Sequence, residues 1–101
     1  MSPLEQEIQA KNLNAPRVTL ARLQAVTASE DYYVFPKTCL TVCCLTLING
    51  FTVTGESACA SPENFDEEIG RHRSREIAEN KIWALEGYLL KQRLYEASLE
   101  V

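Results

Sequence analysis

Three arginines, Arg71, Arg73 and Arg75, form the densest basic cluster in the sequence and are the residues best suited to bind a ligand. Arg71 and Arg75 are four residues apart, so they share one face of the helix that this region predicts. Two guanidinium groups on one face suit a phosphate or another anion, because each presents a fork of N–H donors. The alternative is that they pair with the nearby acidic residues Glu67, Glu68, Glu76 and Glu79.

A small nucleotide would also need a hydrogen-bond donor and an aromatic ring on which its base can stack. Asn64 is a candidate donor, and the candidate rings are Phe51, Phe65, Tyr32 and Tyr33. Each of these rings could equally be an ordinary core residue. The cluster is too small for duplex DNA, and the net charge of −4 argues against that partner.

No arrangement typical of an enzyme is visible. His72, the single histidine, lies in a polar stretch without an evident nucleophile or orienting acid. The sequence contains no G-x-S-x-G, H-E-x-x-H or P-loop motif. Capping of a helix N-terminus explains the carboxylates Glu63, Asp66, Glu67 and Glu68, which lack the spacing of a calcium loop. We therefore expect no catalytic residue, metal or cofactor.

The four cysteines, Cys39, Cys43, Cys44 and Cys59, favour free thiols. Three of them fall in one apolar run, and Cys43 and Cys44 should face opposite sides of a strand. Disulfides are the alternative, and zinc is less favoured because its ligands usually come as closely spaced pairs on turns. The N-terminus lacks the basic start and apolar stretch of a secretory signal. These features predict a cytoplasmic protein.

The pattern of elements predicts an α+β fold. Thr19 is a plausible N-cap for a short helix over about 20–28. Strands are predicted over about 32–35, 38–48 and 51–58, and a long helix over about 62–97 with a possible break at Gly70. Residues 1–16 are expected to be a flexible or peripheral arm, and 17–101 a single domain. No apolar run approaches the ~20 residues of a membrane-spanning helix.

Asn49-Gly50 predicts a two-residue hairpin turn, because both central residues of that turn take positive φ. This turn would pair Ile48 with Phe51 and Thr46 with Val53. One face of the hairpin would then be strongly apolar, with Leu40, Val42, Cys44, Ile48, Phe51 and Val53. The opposite face would be a mixed, semi-buried surface with Cys39, Thr41, Cys43, Leu45 and Leu47 facing Thr52, Thr54 and Glu56.

The long helix carries two apolar stripes whose centres are roughly 140° apart. One contains Ala78, Ile82, Leu85 and Leu89 and can cover the hairpin; the other contains Trp83, Gly87, Leu90 and Leu94. A helix over about 71–97 spans roughly 39 Å, whereas a compact chain of this length is roughly 34 Å across. We therefore predict a homo-oligomer with the second stripe at its interface. The alternative is that the N-terminal helix covers this stripe.

The sequence also resembles a family of small tailed-phage proteins, named after gene product 49 of a coliphage and gene 66 of a Shigella phage. The resemblance lies in Tyr33-Val34-Phe35-Pro36, in residues 40–47 and 49–59, in Pro62-Glu63-Asn64-Phe65-Asp66, in residues 68–71, and in Asn80-Lys81-Ile82-Trp83 with residues 85–90. It implies a phage accessory protein that is made in the host bacterial cytoplasm.

Small phage accessory proteins often counter host defence, and the resemblance suggests two functions by analogy. In the first, an oligomer sequesters a small nucleotide-type immune signal, such as a cyclic oligonucleotide or cyclic ADP-ribose, without catalysis. Arg71, Arg75, Asn64, Phe51 and Phe65 would form that site at the oligomer interface. In the second, the chain is an inhibitor or adaptor that binds a host protein through an exposed apolar helix face.

Overall fold

A computed structural model of the protein describes residues 4, 6, 7 and 15–100, so most of the predicted arm over 1–16 lies outside the described residues. Helix α1 covers Leu20–Val26 and is followed by strands β1 (Thr27–Val34), β2 (Thr41–Leu47) and β3 (Thr52–Ser57). A 3-10 turn at Pro62–Asn64 leads into the long helix α2, Glu67–Ser98. These elements confirm the predicted α+β fold.

The three strands form one antiparallel sheet in the order β1-β2-β3, and α2 packs on one of its faces. Thr19 caps α1 as predicted, because its hydroxyl accepts from the Arg22 N–H at 3.2 Å. The helix ends at Val26, earlier than expected, and Thr27 already pairs with Leu47 of β2. The residues predicted to finish the helix therefore begin β1, where a β-branched threonine is well suited.

The hairpin between β2 and β3 has a three-residue loop, so the predicted two-residue turn is wrong. The Leu47 N–H donates to the Phe51 carbonyl at 2.8 Å, and the Gly50 N–H donates to the Leu47 carbonyl at 2.9 Å. Gly50 has φ of +89°, the left-handed conformation that such a loop requires at its last residue. The pairing consequently shifts by one residue, and Leu45 lies opposite Val53.

This shift reverses the predicted roles of the two hairpin faces. The face expected to be semi-buried is the one that α2 covers, and it contributes Cys43, Leu45, Leu47 and Val53 to the core. On the face expected to be the apolar core, Val42 and Cys44 are half-buried, and Ile48 in the loop is 66% exposed. A slip of one residue moves Val53 to the opposite face, because side chains alternate along a strand.

Helix α2 begins at the N-cap Asp66, whose carboxylate accepts from the Ile69 N–H at 3.1 Å. Gly70 lies inside the helix without breaking it. A buried ridge of every fourth residue faces the sheet: Gly70, Ser74, Ala78, Ile82 and Glu86. The small side chains at the start of this ridge let the helix lie close to β3.

The first predicted stripe of α2 is only partly right, and the interface predicted for the second stripe stays a prediction. Leu85 and Leu89, which were expected to cover the hairpin, remain 36% and 44% exposed because they lie at its loop end. Trp83, which was expected at an oligomer interface, is half-buried against the core cluster of the same chain. Helix α1 contributes Leu23 and Val26 to that same cluster.

A C-terminal overhang, residues 91–98 of α2, extends beyond the sheet, and all of its side chains are exposed. The helix has 32 residues and is about 48 Å long, whereas β2 has seven residues and is about 23 Å long. The radius of gyration is 17.1 Å, compared with about 13 Å for a compact chain of 100 residues. The elongated shape agrees with a helix that its own sheet covers only in part.

The Thr41 hydroxyl is fully buried and has no hydrogen-bond partner among the residues that the structure describes. We expect Thr41→Val to raise the free energy of unfolding by about 1 kcal/mol, because it removes an unsatisfied polar atom and keeps the side-chain shape. Urea denaturation measures this change. A loss of stability would contradict the placement of this hydroxyl in a dry contact with Gly70.

Candidate functional site

Two arginines of the basic cluster, Arg71 and Arg75, form ion pairs with carboxylates. Arg71 pairs with Glu67 at 3.2 Å, and its guanidinium lies 5.1 Å from the centre of the Tyr32 ring. Arg75 donates from Nε to Glu79 at 2.8 Å and pairs through Nη1 with a second carboxylate, that of Glu30 on β1, at 3.1 Å. The sequence left open whether these two arginines bind a ligand or pair with acidic residues. Both of them pair with acidic residues.

Arg73 is the exception, because it makes no ion pair or hydrogen bond within the described part of the chain. It lines a cavity of about 460 Å³ together with Asn64 and Phe65 of the 3-10 turn. We call this space the N-terminal cavity, since it lies beside the start of α2. It brings together two of the predicted ligand residues with an arginine that was not among them.

The N-terminal cavity is not strongly positive. Besides Arg73 its walls carry the carboxylates of Glu56 and Asp66. Asp66 also caps α2, so its charge is already engaged with the helix N-terminus. One guanidinium beside two carboxylates offers a position for one phosphate group, and any further phosphate of a ligand would have to point away from the carboxylates.

The remaining predicted ligand residues lie elsewhere. Arg75 lines a separate cavity of about 230 Å³ between α1 and β1. Phe51 lies at the hairpin loop and is 54% exposed. It lines a groove of about 310 Å³ whose walls include neither Asn64 and Phe65 nor Arg71 and Arg75. The structure therefore does not bring Phe51 and Arg75 to the cavity that contains Asn64.

We call the groove at the hairpin loop the tip groove. Its exposed apolar walls come from the loop and from the adjacent part of α2: Ile48, Phe51, Leu85, Tyr88 and Leu89. Tyr88 is 72% exposed, the highest value in this set. Such a grouping of apolar side chains is typical of a protein interaction surface.

The tip groove continues into a line of exposed residues along α2, which we call the α2 seam: Leu85, Tyr88, Gln92, Tyr95 and Leu99. Their spacing of three, four, three and four residues is that of the a and d positions of a coiled coil. Sequence reasoning missed this line because it grouped Leu85 with the core-facing residues. The heptad spacing was the signal that could have found it.

The predicted interface residues lie away from this seam. Gly87 and Leu90 are half-buried, as is Trp83, and only Leu94 is clearly exposed, at 43%. Arg22 of α1 donates to Glu86 at 2.8 Å, and the Glu86 side chain is 8% exposed. This ion pair fastens α1 to α2 beside Trp83.

The described residues contain no group of three or more His, Cys, Asp or Glu side chains that could hold a metal. None of the helices in the described ranges is long and apolar enough to cross a bilayer.

An antiparallel sheet of three strands, covered on one face by a long helix, defines a small α+β protein. Residues 18–94, more than half of the chain, match the Phage protein (N4 Gp49/phage Sf6 gene 66) family, and the chain belongs to this family. This match confirms the resemblance found in the sequence. No curated protein and no solved structure matches the chain.

Proposed function

We propose that this phage protein is a non-enzymatic accessory protein that acts in the host cytoplasm by binding, and that it works as a dimer formed through the tip groove and the α2 seam. The observation that carries the proposal is the concentration of exposed apolar side chains at one end of the molecule. Contiguous groups of exposed apolar side chains often mark protein interaction sites.

A second copy of the chain fits this surface. The α2 seam has coiled-coil spacing, and an identical helix running antiparallel to it would offer the same spacing in return. A two-fold axis would place Leu99 of one copy opposite Tyr88 of the other, and Tyr95 opposite Gln92. The overhangs of the two copies would then pack against each other, and Leu99 at the end of each would reach the tip groove of the other.

The seam suits a protein helix better than a small ligand. Its members are mostly large apolar or aromatic side chains, and its central polar residue, Gln92, donates to Glu96 of the same helix at 2.9 Å. A small nucleotide needs several convergent donors around its phosphate, and the tip groove supplies mainly apolar contacts.

Light scattering after gel filtration tests the dimer. At micromolar concentration we expect a species with twice the chain mass of 11.4 kDa. A single species of 11.4 kDa at every concentration would contradict the proposal. The tip groove would then favour the alternative function, an inhibitor or adaptor of a host protein, which predicts a stoichiometric complex from infected cells.

A second candidate function is capture of a small nucleotide-type immune signal, which would make the protein an anti-defence sponge. The observation that favours it is the N-terminal cavity, where Arg73 lacks an acidic partner among the described residues and lies beside Asn64 and Phe65. Its volume of about 460 Å³ is within the range of small-molecule sites. Arg73 would hold one phosphate, Asn64 would donate to the ligand, and Phe65 would stack on the base.

Calorimetry against a panel of cyclic oligonucleotides and cyclic ADP-ribose isomers tests this candidate. For the ligand that binds, we expect Arg73→Gln to weaken affinity about 10- to 100-fold, because it removes one charge-assisted hydrogen bond. Arg93→Gln, on the exposed overhang, is the matched control and should leave affinity unchanged. No heat from any member of the panel at micromolar concentration would contradict nucleotide capture.

A further inference from the structure

Cys39 and Cys59 face each other at the open end of the hairpin. The last pair of the β2–β3 ladder is Thr41 with Ser57, and continuing this register by two residues places Cys39 opposite Cys59. Side chains two residues apart on a strand lie on the same face, so Cys39 and Cys59 lie on the face that α2 covers. Directly opposed Cα atoms in an antiparallel pair lie about 4.5–5.5 Å apart, within the roughly 4.4–6.8 Å that a disulfide requires.

The side chains confirm that the two sulfur atoms are neighbours. Interaction with Cys59 raises the pKa of the Cys39 thiol, and Cys59 Sγ donates to the Ser61 carbonyl at 3.3 Å. Both cysteines are half-buried, and both line the N-terminal cavity, which is open to small molecules. A reagent in solution can therefore reach two neighbouring thiols.

The other two cysteines do not share these properties. Cys43 is fully buried, so a reagent in solution cannot reach its thiol. Cys44 follows it on β2 and faces the opposite side of the sheet, away from the N-terminal cavity. The chain therefore offers one accessible pair with an internal control at Cys44.

We propose that Cys39 and Cys59 form a redox-active dithiol, which low-molecular-weight disulfides such as oxidised glutathione convert into an intramolecular disulfide. The thiolate of one cysteine attacks a sulfur of the glutathione disulfide, and one glutathione thiolate leaves. The second cysteine then attacks the protein sulfur of this mixed disulfide and displaces the other half. The two protein thiols lose two electrons and two protons, and one molecule of oxidised glutathione takes them up to become two molecules of reduced glutathione.

This modification site is independent of the proposed dimer, since it lies at the opposite end of the sheet from the tip groove. In a reducing cytoplasm the dithiol form dominates, in agreement with the free thiols of the structure. Oxidation would close a covalent loop of roughly 20 residues around the whole hairpin and restrict the unfolded chain. The walls of the N-terminal cavity would then be cross-linked.

The test uses the full chain, equilibrated with mixtures of oxidised and reduced glutathione and then quenched by alkylation. Intact mass and peptide mapping identify the products, and a thermal melt measures Tm. We expect the wild-type chain to lose two hydrogen atoms in mass, to yield a peptide that links Cys39 to Cys59, and to gain about 10 °C in Tm. Cys44→Ser should behave in the same way as the wild type.

Cys39→Ser and Cys59→Ser each remove one partner, so we expect the remaining thiol to stop at the glutathione adduct. Peptide mapping of the wild type does not depend on whether these variants fold. Glutathione adducts on both Cys39 and Cys59 of the wild type, a linkage through Cys44, or a disulfide between two chains would each overturn the proposal. Two unmodified thiols under fully oxidised glutathione would overturn it as well.

Discussion

Gly55→Ala is expected to lower the free energy of unfolding by about 4 kcal/mol, a large part of the total for a domain of this size. A Cβ at this position would overlap the Ser74 carbonyl oxygen and lie 2.6 Å from the Ala78 nitrogen. Both are backbone atoms of α2, so no side chain can rotate to make room. The helix would have to lift from β3, and the core beneath Ile82 would open.

Gly87→Ala is the matched control, because a Cβ there meets no atom within 4 Å. Gly87 is also helical, so alanine should stabilise the protein by about 0.5–1 kcal/mol through its higher helix propensity. Urea denaturation followed by circular dichroism measures both variants. An unchanged midpoint for Gly55→Ala would show that α2 does not lie on β3 as described.

The second large effect is expected on dimerisation, from the substitution Tyr88→Glu. Tyr88→Glu places a carboxylate where Leu99 of the other copy packs in the proposed contact, and the two-fold axis repeats this carboxylate in the other copy. Burying two unpaired charges is costly, so we expect the dimer Kd to rise about a thousandfold or more. Sedimentation equilibrium across a concentration series measures the change. Because Tyr88 is 72% exposed in the single chain, the fold itself should be unaffected.

Ile69→Glu controls for the loss of an exposed apolar residue on the same helix. Ile69 is 58% exposed, and it lines the N-terminal cavity rather than the tip groove. We expect its dimer Kd to equal that of the wild type. Equal weakening by both substitutions would contradict a contact localised to the tip groove and the α2 seam, as would a Tyr88→Glu chain that remains fully dimeric.

The hairpin illustrates what local sequence can and cannot decide. Asn49-Gly50 marks the turn correctly, because glycine readily adopts positive φ there. The same dipeptide fits a two-residue and a three-residue loop, and the choice between them sets which face Val53 occupies. Packing decides it: the longer loop places Val53 and Gly55 beneath α2, where Gly55 alone permits the close approach.

The candidate site likewise combines contacts that local sequence predicts with contacts that depend on the fold. The pairing of Arg71 with Glu67 and of Arg75 with Glu79 follows from spacing along one helix and was open to prediction. The contact of Arg75 with Glu30 joins two distant segments, and no local pattern indicates it. The cavity around Arg73 likewise depends on how the 3-10 turn packs against the hairpin.

The length of α2 was largely predictable, but the exposure of its apolar side chains was not, and the interface through Trp83, Gly87, Leu90 and Leu94 stays a prediction. The overhang follows from helix length, whereas the packing of Trp83 against the core cluster and the contact of Arg22 with Glu86 join segments that are far apart in the sequence. The exposed apolar side chains of α2 include Leu94 of the second stripe as well as Tyr88 and its neighbours.

The most direct test of the dimer is an isotope-filtered NOE experiment on a mixture of labelled and unlabelled chains. The antiparallel arrangement predicts contacts between the Leu99 methyl groups of one copy and the Phe51 ring of the other, because Leu99 would lie opposite Tyr88 in the tip groove. Contacts between the two Leu99 side chains, or no contacts between copies at all, would contradict the account.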